Sequence, residues 1–565
     1  MIDRRDFIHA SLATLALSGG TLSGYRKAIA GQKITQEEIL KFDSKGQVTL
    51  IHIGDIHSQT KPIYFREPSV NIGVGEALGL PPHITGKAML KKFGIKAGSP
   101  QAYALTSEDF GELAKTYGKM GGLDRMATLI KAIRAERPTH CLLLDVGDTW
   151  QGSWTSLQTR GEDMVKVMAT MKPDAITGHW EFTYGADRVK ELIDMLDFPF
   201  LAGNVISNEW EEPVFESTKM YERNGVKVAV IGQAFPYTPV ANPRWMFPDW
   251  SFGIRESLVQ KHVENARANG ADCVVLLSHN GFDVDRKLAT RVKGIDVILT
   301  GHTHDAIPTT VNVNGTLLVA SGCSGKFVSR LDLDIQNKKV AGFNFKLMPV
   351  FSDVIEKDAE TAKVIDETRA PYEKHLGEVL GTTQNTLYRR GNMSGTFDDL
   401  ICNALMEKKD AEISLSPGFR WGPSLIPGQE ITNDDLYSQT ATTYASVYKL
   451  DFTGKQIKEI LEDVGDNLFN ADPYFQQGGD MVRVGGLSFD MDASKTIGKR
   501  ITNMRLTRNG KDLDMGKTYS VAGWSSVNKE TGTGGEPVWN VVRDYIKEKK
   551  VIDLKETGNI RLSNG

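Results

Sequence analysis

The sequence predicts a layered α/β domain followed by a second domain of the α+β type. Between residues 47 and 335, short apolar runs such as VTLIHIGD and CVVLLSHN alternate with helix-like segments such as LDRMATLIKAIRAE. Nearly continuous apolar strands of this kind are typical of sheets that are covered on both faces. After residue 380 the pattern changes to segments such as LDFTGKQIKEILEDVG, which indicates a second, α+β domain.

The composition is that of a soluble globular protein. The 565 residues include 40% hydrophobic and 24% charged residues, and the formal net charge is -4. This charge argues against nucleic acid as the main partner. After the N-terminal region, no stretch has the about 18 uninterrupted apolar residues of a membrane-spanning helix. We therefore expect no membrane insertion of the mature chain.

Residues 1–30 have the features of an export signal. The segment MIDRRDFIHASLATLALSGG places Arg4 and Arg5 before a moderately apolar run, and AIA at residues 28–30 offers small residues for cleavage. This combination is typical of a twin-arginine signal and predicts a periplasmic protein. An ordinary amphipathic first helix is the alternative.

The rest of the chain divides into a catalytic domain, a linker and a second domain. Within the catalytic domain, residues 31–350, the stretch 58–120 is rich in Pro, Gly and aromatic residues and lacks clear periodicity. Such a length without regular structure is unusual in a compact domain, so we predict an insertion over the site; a disordered surface insert is the alternative. Residues 351–379 have helical composition and predict a linker helix. The second domain is residues 380–565.

The four cysteines are predicted to be buried free thiols. They are Cys141, Cys273, Cys323 and Cys402. The first two start apolar runs, as core residues do, and no pair has Cys-x-x-Cys spacing. Disulfide pairing in an exported protein is the alternative.

Side chains that can bind metal follow five of the predicted strands. They are Asp55 and His57 in HIGDIH, Asp148 in LLLDVGD, His179 in AITGHW, His279 in VVLLSHN, and His302 and His304 in VILTGHTH. Open α/β sheets bind ligands at the carboxyl ends of their strands. Seven such side chains are enough for two divalent ions that share one carboxylate, and mixed nitrogen and oxygen ligands suit Mn, Fe or Zn. Each motif alone is weak, but the five in order predict a metal site.

The five motifs together resemble those of the calcineurin-like metallophosphoesterases and, more narrowly, the 5′-nucleotidase family with its C-terminal substrate domain. The resemblance spans residues 47–560 and is weaker after residue 380. It implies a layered β-sandwich flanked by helices and a C-terminal α+β domain of the 5′-nucleotidase type. It also implies two ligand sets with catalytic roles for Asp148 and His179. The first metal takes Asp55, His57, Asp148 and His304, and the second takes Asp148, His179, His279 and His302.

The stretch GHWEFT departs from the family motif GNHEFD. The amide ligand is replaced by His179, the catalytic histidine by Trp180, and the aspartate that orients that histidine by Thr183. Hydrolysis of an alkyl phosphate expels an alkoxide and benefits from an acid, whereas a thiol, with a pKa of about 8.5, leaves more easily. A site that keeps its metal ligands but lacks the acid favours sulfur as the leaving atom. An inactive phosphatase is the alternative.

The altered motif, the leader and the stretch GDIHSQTKPIYFREPSVNIG are together similar to the SoxB family of thiosulfohydrolases. This resemblance implies an S-sulfosulfanyl-L-cysteine sulfohydrolase of the Sox thiosulfate-oxidation pathway. Separately, we expect a monomer, although the sequence does not determine the oligomeric state. A hydroxide activated by two divalent ions, with Mn²⁺ expected, releases sulfate from cysteine S-thiosulfonate on the C-terminal arm of the carrier SoxYZ. The alternatives are a periplasmic 5′-nucleotidase-type phosphoesterase and a non-catalytic protein that keeps its metals for structure.

Several residues are candidates for contact with the substrate. Arg420, in SPGFRWGPSLIPGQEIT, lies where the family places an anion-binding arginine with a catalytic role, and its planar donors suit an oxyanion; a surface salt bridge is the alternative. Trp180 is expected to pack against the substrate. Weaker candidates are Arg389 and Arg390 for the anion, and Tyr64, Arg66 and Tyr103 for the wall of a carrier channel. Tyr444, the one aromatic residue in TATTYAS, is offset from the family's base-stacking position, which argues against a nucleotide.

Overall fold

The computed structural model describes residues 34–563, so the predicted export signal at residues 1–30 lies outside the described residues. The N-terminal domain contains thirteen strands in the described part of the chain. They are β1 (Val48–Ile53), β2 (Cys141–Asp145), β3 (Ala175–Ile176), β4 (Ile206–Ser207), β5 (Thr218–Arg223), β6 (Val226–Gln233), β7 (Trp250–Ser251), β8 (Cys273–Ser278), β9 (Val297–Thr300), β10 (Val311–Val313), β11 (Thr316–Ala320), β12 (Phe327–Gln336) and β13 (Lys339–Pro349).

These strands form two large mixed sheets. One sheet has the order β13-β12-β1-β2-β3, and the other has the order β10-β11-β9-β8-β6-β5. Strands β1, β2 and β3 are parallel to one another, as are β6, β8, β9 and β11. Parallel strands carry their carboxyl ends to one edge, which is where the metal-ligand motifs stand.

The two sheets pack face to face, and helices cover both outer faces. The helices are α1 (Gln36–Leu40), α2 (Gly86–Phe93), α3 (Pro100–Leu105), α4 (Phe110–Tyr117), α5 (Leu123–Glu136), α6 (Trp154–Thr159), α7 (Glu162–Ala169), α8 (Ala186–Asp194), α9 (Thr238–Ala241), α10 (Glu256–Ala268) and α11 (Phe282–Arg291). Leu50 of β1 and Leu144 of β2 belong to one buried cluster with Val275 of β8. Alternate residues such as Ile51 pack outward against α5, and α10 and α11 cover the second sheet. This is the predicted β-sandwich flanked by helices.

The insertion at residues 58–120 is more regular than the sequence predicted. It contains α2, α3 and α4, each of only six to eight residues, which is too short for a strong periodic signal. Glu67 of the insertion forms a buried ion pair with Lys326, which is fully buried. Ile72 and Val74 pack against the core of the C-terminal domain. The insertion is therefore anchored to both domains.

The linker and the C-terminal domain follow. The linker contains α12 (Ala359–Arg369) and the short α13 (Glu373–Leu376), on either side of Pro371. The C-terminal strands form three small sheets, ordered β16-β14-β22, β17-β21-β15-β18 and β20-β19-β23. These strands are β14 (Val379–Thr383), β15 (Ile413–Ser416), β16 (Glu430–Thr432), β17 (Val447–Thr453), β18 (Arg483–Gly485), β19 (Leu487–Met491), β20 (Ile501–Leu506), β21 (Thr518–Trp524), β22 (Val551–Ile552) and β23 (Ile560–Leu562). The helices are α14 (Thr396–Lys409), α15 (Asn433–Thr440), α16 (Gly454–Phe469), α17 (Lys529–Gly532) and α18 (Val538–Lys549).

The cysteine prediction is confirmed. All four thiols are buried and unpaired, and burial raises the pKa of Cys323 to about 12, so it is unreactive at neutral pH. Among residues 34–563, no helix has both the length and the apolar character needed to cross a membrane.

Candidate metal centre

The structure brings all seven predicted ligand side chains together in two groups. The ligand atoms of each group lie within 4.8 Å of one another, and every residue is buried. The groups share Asp148 and have the memberships that the sequence analysis assigned. They are Asp55, His57, Asp148 and His304, and Asp148, His179, His279 and His302. Metal binding by these residues stays a prediction, but the geometry supports a dimetal centre.

The loops that carry these side chains turn sharply as they leave the strands. Five ligand residues have the left-handed backbone conformation that non-glycine residues rarely adopt. Their φ angles are 49° at Asp55, 48° at His57, 57° at Asp148, 73° at His302 and 59° at His304. Backbone hydrogen bonds hold the two loops of the first sheet together, from Asp55 N to Gly147 O (2.8 Å) and from His57 N to Asp148 O (2.7 Å). Such strain persists where surrounding structure enforces it, typically at functional sites.

Asp148 lies at the centre of both groups. Its carboxylate oxygens are 3.4 Å from His57 Nε2, 3.2 Å from His179 Nδ1 and 3.1 Å from His279 Nε2. Burial acts to raise its pKa, but the electrostatic and hydrogen-bonding interactions with His179, His279 and His57 outweigh burial and hold the pKa well below its usual value. Asp148 is therefore ionised at neutral pH, as a bridging carboxylate must be.

The histidines are oriented as metal ligands are. A metal-binding imidazole usually donates its other N–H to a carbonyl or carboxylate, which fixes the tautomer and leaves a lone pair for the ion. Three of the five histidines do so. The acceptors are Gln151 O for His57 Nδ1 (3.2 Å), Val146 O for His279 Nδ1 (2.5 Å) and Gln477 O for His302 Nε2 (3.1 Å).

Several other ring nitrogens of the ligand histidines have no hydrogen-bond partner, whereas His57 Nε2 and His304 Nε2 lie 3.1 Å apart. Among the described residues, buried and unbonded nitrogens include His179 Nε2, His279 Nε2, His302 Nδ1 and His304 Nδ1. Burial lowers the pKa of His57 to about 4 and lowers those of His302 and His304 well below the usual value. In their neutral form these imidazoles offer free lone pairs, and with two carboxylates beside them they fit divalent ions of the Mn, Fe and Zn class.

Burial and neighbouring charges also shift the pKa values of Asp55 and His279. Burial raises the pKa of Asp55 to about 8. Burial acts to lower the pKa of His279, but the carboxylates of Asp148 and Asp55 outweigh it and raise that pKa to about 9. A bound cation would replace the proton in both cases.

The contacts of Glu181 explain why the altered motif GHWEFT keeps a glutamate at this position. Its carboxylate accepts backbone N–H groups from Thr149 at 2.7 Å and from His179 at 2.7 Å. It also accepts from Asp148 at 3.2 Å and from Trp150 at 3.3 Å. Glu181 thus joins the loops that follow β2 and β3, and it supports the ligands rather than binding substrate.

Trp180 is held in place from both sides. Its backbone N–H donates to Asp148 Oδ1 at 2.9 Å. Its indole is 4% exposed and lies edge-on to Phe419 and Trp421, with centroid distances of 5.3 and 4.8 Å. Three residues on, the hydroxyls of Thr183 and Thr443 are 2.6 Å apart. The two replaced positions therefore serve as contacts to the C-terminal domain.

A cavity of about 220 Å³ between the two domains opens onto both metal groups. Trp421 forms part of its wall and is stacked against His57 at 4.8 Å and against Phe419 at 4.3 Å. Its indole nitrogen is buried without a hydrogen-bond partner among the described residues. The residues on its walls include His57, Asp148, His179, His302, His304, Trp180, Phe235, Phe419, Arg420, Trp421, Asn467, Gln477 and Asp480.

Arg420 lines this cavity and is buried, so it is not a surface residue; anion binding by Arg420 stays a prediction. Its guanidinium donates to His302 O at 3.3 Å and to Gly479 O, and its Nε lies 3.6 Å from Asp480 Oδ1. Burial lowers the pKa of Arg420, while Asp480 acts against this change. The backbone contacts fix a positive charge beside the second metal group.

The weaker arginine candidates have structural roles. Arg389 is fully buried and donates to Asp398 (2.8 Å), Gln439 O (2.7 Å) and Pro417 O (2.9 Å). Arg390 donates to Thr303 O at 3.0 Å. Neither lines the metal cavity.

Tyr64 and Arg66 are the residues predicted for the wall of a carrier channel. Neither lines the metal cavity. Arg66 stacks over Tyr388 at 4.2 Å, and the Tyr64 carbonyl accepts from Ser424 N at 2.7 Å, so both belong to the seam between the insertion and the C-terminal domain. Tyr103, also proposed for the wall, is a core residue whose hydroxyl donates to Gly118 O at 2.7 Å. Tyr103 is thus too buried to line a channel, whereas a channel role for Tyr64 and Arg66 stays a prediction.

Four cavity features were missed by the sequence analysis. Phe235 stacks on His302 at 4.1 Å and follows β6 in the run VAVIGQAF, where its place at a strand end was a usable signal. Phe419 and Trp421 flank Arg420 in GFRW. At Gly478, φ is +71°, and a Cβ there would overlap His302 Nε2. Only glycine lets this loop of the C-terminal domain approach the second metal group so closely.

Two family models match the chain. The model described as calcineurin-like phosphoesterase matches residues 48–306, and the model described as 5′-nucleotidase, C-terminal domain, matches residues 377–535. Among curated relatives, the 5′-nucleotidase of Bos taurus is 24% identical over 518 residues, which cover 81% of this chain and 88% of the relative.

Solved structures extend the comparison. The sulfate thiohydrolase SoxB of Thermus thermophilus, in complex with glycerol, is 34% identical with a TM-score of 0.90, and the match covers 93% of this chain and 98% of that chain. A 5′-nucleotidase precursor, also of Thermus thermophilus, is 21% identical with a TM-score of 0.72, over 92% of this chain and 100% of that chain. At 21% identity, the similarity to the 5′-nucleotidase precursor concerns the fold alone.

Proposed function

The chain belongs to the 5′-nucleotidase family of calcineurin-like phosphoesterases, and from this premise we propose that it is a thiosulfohydrolase. Its substrate is a cysteine S-thiosulfonate on the C-terminal arm of a carrier protein of the SoxYZ type. Water adds to the terminal sulfonate sulfur, the S–S bond breaks, and the electron pair leaves with the inner sulfur as a persulfide anion. The products are sulfate, the persulfide and two protons.

The observation that carries this proposal is Trp180 beside a complete set of metal ligands. Its backbone N–H is bonded to the shared ligand Asp148, and its ring lies 5.6 Å from the ring of the ligand His179. An indole has one N–H donor and no proton to transfer at neutral pH. A persulfide is a better leaving group than an alkoxide, so this chemistry can do without the acid.

The chain's own residues bind and orient the sulfonate. Arg420, fixed on the carbonyls of His302 and Gly479, presents a positive charge to an anionic group at the metal centre. The buried N–H of Trp421 provides a further donor. The rings of Trp180 and Phe235 exclude bulk water, which strengthens both interactions.

Two divalent ions held by Asp55, His57, Asp148, His179, His279, His302 and His304 would lower the pKa of water and polarise a sulfonate oxygen. Manganese is the proposed metal, because the donor set combines imidazoles with carboxylates. Asp148 and His179 are the proposed catalytic ligands. His179 belongs to the altered motif, and Asp148 accepts a hydrogen bond from the backbone N–H of Trp180 in that motif.

The comparison with SoxB supports the same substrate class. Its match covers 93% of this chain, so it includes both domains and the insertion. The partner, a monomeric state and a periplasmic location reached through a twin-arginine signal remain parts of the proposal. The signal rests on Arg4, Arg5 and the small residues before Gly31.

A 5′-nucleotidase is the second candidate, because curated relatives of that activity align with 81% of this chain. The aromatic residues of the cavity argue against it. Trp421 is stacked on both His57 and Phe419, and Trp180 covers its edge. These rings are engaged with one another, so they do not form a slot for a nucleobase.

The test compares two substrates with one metal-loaded preparation. An arm peptide that carries cysteine S-thiosulfonate is predicted to release sulfate, and AMP is predicted to release no phosphate above background. Chelated protein and the variant Asp148→Asn serve as controls, and both should lose activity because Asp148 joins the two metal groups. Phosphate release from AMP without sulfate release from the peptide would establish the nucleotidase instead.

A further inference from the structure

A second, smaller cavity adjoins the metal cavity beneath the insertion. Its volume is about 60 Å³, which is room for a few water molecules. His302, Arg420, Gly478 and Gly479 line both cavities. The two spaces therefore meet at the second metal group, beside the guanidinium that faces the substrate.

Several residues that line this cavity have buried polar atoms without a hydrogen bond. Within residues 34–563, the buried atoms Asn280 Oδ1, Asp283 Oδ1, Arg390 Nε and Arg420 Nε have no hydrogen-bond partner. Buried polar atoms in native proteins are almost always bonded to protein or to ordered water. Two acceptors and two donors around one small space are what a few water molecules satisfy.

The charges of the lining favour water over a bound anion. The cations Arg390 and Arg420 are matched by the carboxylates of Asp283 and Asp305. Asp305 lies 3.4 Å from Arg390 Nη2, and Asp283 lies 2.6 Å from His83 Nε2. A second sulfate here would meet two carboxylates, whereas neutral water meets no such repulsion.

The rim of the cavity is not fully enclosed. Asn71, Pro82 and His83 of the insertion and Gln476 of the C-terminal domain are half-buried on its outer side. The lining thus runs from residues close to solvent to the metal ligand His302. This path from solvent to His302 does not pass through the metal cavity, the main cavity of the protein, where the substrate is proposed to bind.

We propose that the small cavity is a hydrated side passage that supplies the hydrolytic water and carries protons away while a carrier arm fills the main cavity. This inference rests on the proposed function, because only a substrate tethered to a protein closes the main cavity during turnover. Each turnover consumes one water and releases two protons. With the arm in place, both must move by another route.

The test fills the passage and varies the size of the substrate. Val284 lines the small cavity but not the metal cavity, so Val284→Phe adds bulk there without touching a ligand. Ile72→Phe fills the same space from the insertion side. Val284→Ala, which enlarges the space, is the matched control.

The two substrates are the arm peptide, which closes the main cavity, and free cysteine S-thiosulfonate, which does not. For both filled variants, kcat for the peptide should fall by at least about fivefold, while kcat for the free amino acid stays within twofold of wild type. The Val284→Ala variant should match wild type on both substrates. Single-turnover and steady-state rates on the peptide should fall together, because water is needed at the chemical step.

Other outcomes overturn the proposal. Equal losses on the two substrates would mean that the substitutions disturb the metal site, and unchanged rates on the peptide would mean that water enters elsewhere. A normal first turnover followed by slow turnover would make the passage an exit for sulfate rather than an entry for water. The proposed function is tested separately, since it fails only if the wild-type protein releases no sulfate from the peptide.

Discussion

The indole of Trp180 meets the ring of Trp421 edge to face, with the two centroids 4.8 Å apart. Trp421 in turn stacks on the candidate ligand His57. The residue that replaces the family's acid is thus fixed beside the metal groups by an aromatic residue of the other domain. Its role is to shape a dry cavity, and the predictions below follow from that role.

Restoring the family's residues is predicted to bring no gain on the sulfur substrate. The double variant Trp180→His, Thr183→Asp recreates the acid and its orienting carboxylate, but it removes the contacts to Trp421 and Thr443. We expect kcat/KM for sulfate release from the arm peptide to fall about 10-fold or more, as losing packing and a hydrogen bond implies. Trp180→Phe, which keeps an aromatic ring, should lose less. A double variant faster than wild type would contradict this account.

The missing acid also predicts a steep dependence on the leaving group. Aryl phosphates that enter the cavity should be cleaved by the wild-type protein only when the phenol is acidic, because no acid protonates the departing oxygen. The measurement is the slope of log kcat/KM against leaving-group pKa. The slope should be shallower in the Trp180→His, Thr183→Asp variant, and equal slopes would show that position 180 has no part in leaving-group protonation.

Gly478 predicts a selective effect on the second metal group. A Cβ at this position would overlap His302 Nε2, so Gly478→Ala should displace that ligand. Loss of ligand positioning typically weakens metal binding by about 10- to 100-fold, and we expect this for one of two ions. The measurement is metal content and affinity by titration of the chelated protein.

Gly479→Ala is the matched control for this prediction. Gly479 has a similar φ of +84°, but its nearest neighbour within 4 Å is Gly418 O at 3.8 Å. Both variants strain the backbone, and only one disturbs His302. Equal metal loss in the two variants would refute a specific role for Gly478.

His52 predicts a loss of stability in acid that does not involve the metal ligands. Its ring is buried on β1 with Nδ1 2.7 Å from Ser321 Oγ, and burial lowers its pKa to about 3. In the unfolded state the imidazole of His52 has a pKa of about 6.5. Below that pH the unfolded state therefore binds a proton that the folded state does not bind. The stability that the neutral His52 imidazole contributes is therefore fully present above about pH 6.5 and is lost as the pH falls towards 3.

The variant His52→Asn isolates this effect. The difference in free energy of unfolding between wild type and variant should be smaller at pH 5 than at pH 7.5 by about 2 kcal/mol. Denaturant titrations of the metal-loaded proteins measure it, and the other histidines cancel because both chains carry them. A difference independent of pH would show that His52 binds its proton equally well in the folded and unfolded states, and would contradict the lowered pKa.

The ligand motifs could be predicted because each is local. Asp55 and His279 directly follow apolar strands, and parallel strands carry such residues to one edge. Phe235, Trp421 and Gly478 reach the same cavity through the packing of two domains, which no local pattern encodes. Tyr103 shows the converse case, since it was a candidate for a channel wall and lies buried in the core. The short helices of the insertion were not predicted, because six to eight residues are too few for a clear hydrophobic periodicity.

The most direct measurement of the central claim is the isotopic content of the products in ¹⁸O-labelled water. Metal-loaded protein and the arm peptide with cysteine S-thiosulfonate are mixed, and sulfate and peptide are examined by mass spectrometry. The account predicts sulfate with one ¹⁸O atom and a peptide that keeps the inner sulfur as an unlabelled persulfide. Unlabelled or absent sulfate, with ¹⁸O-labelled phosphate formed from AMP, would contradict it and assign the metal centre to nucleotide hydrolysis.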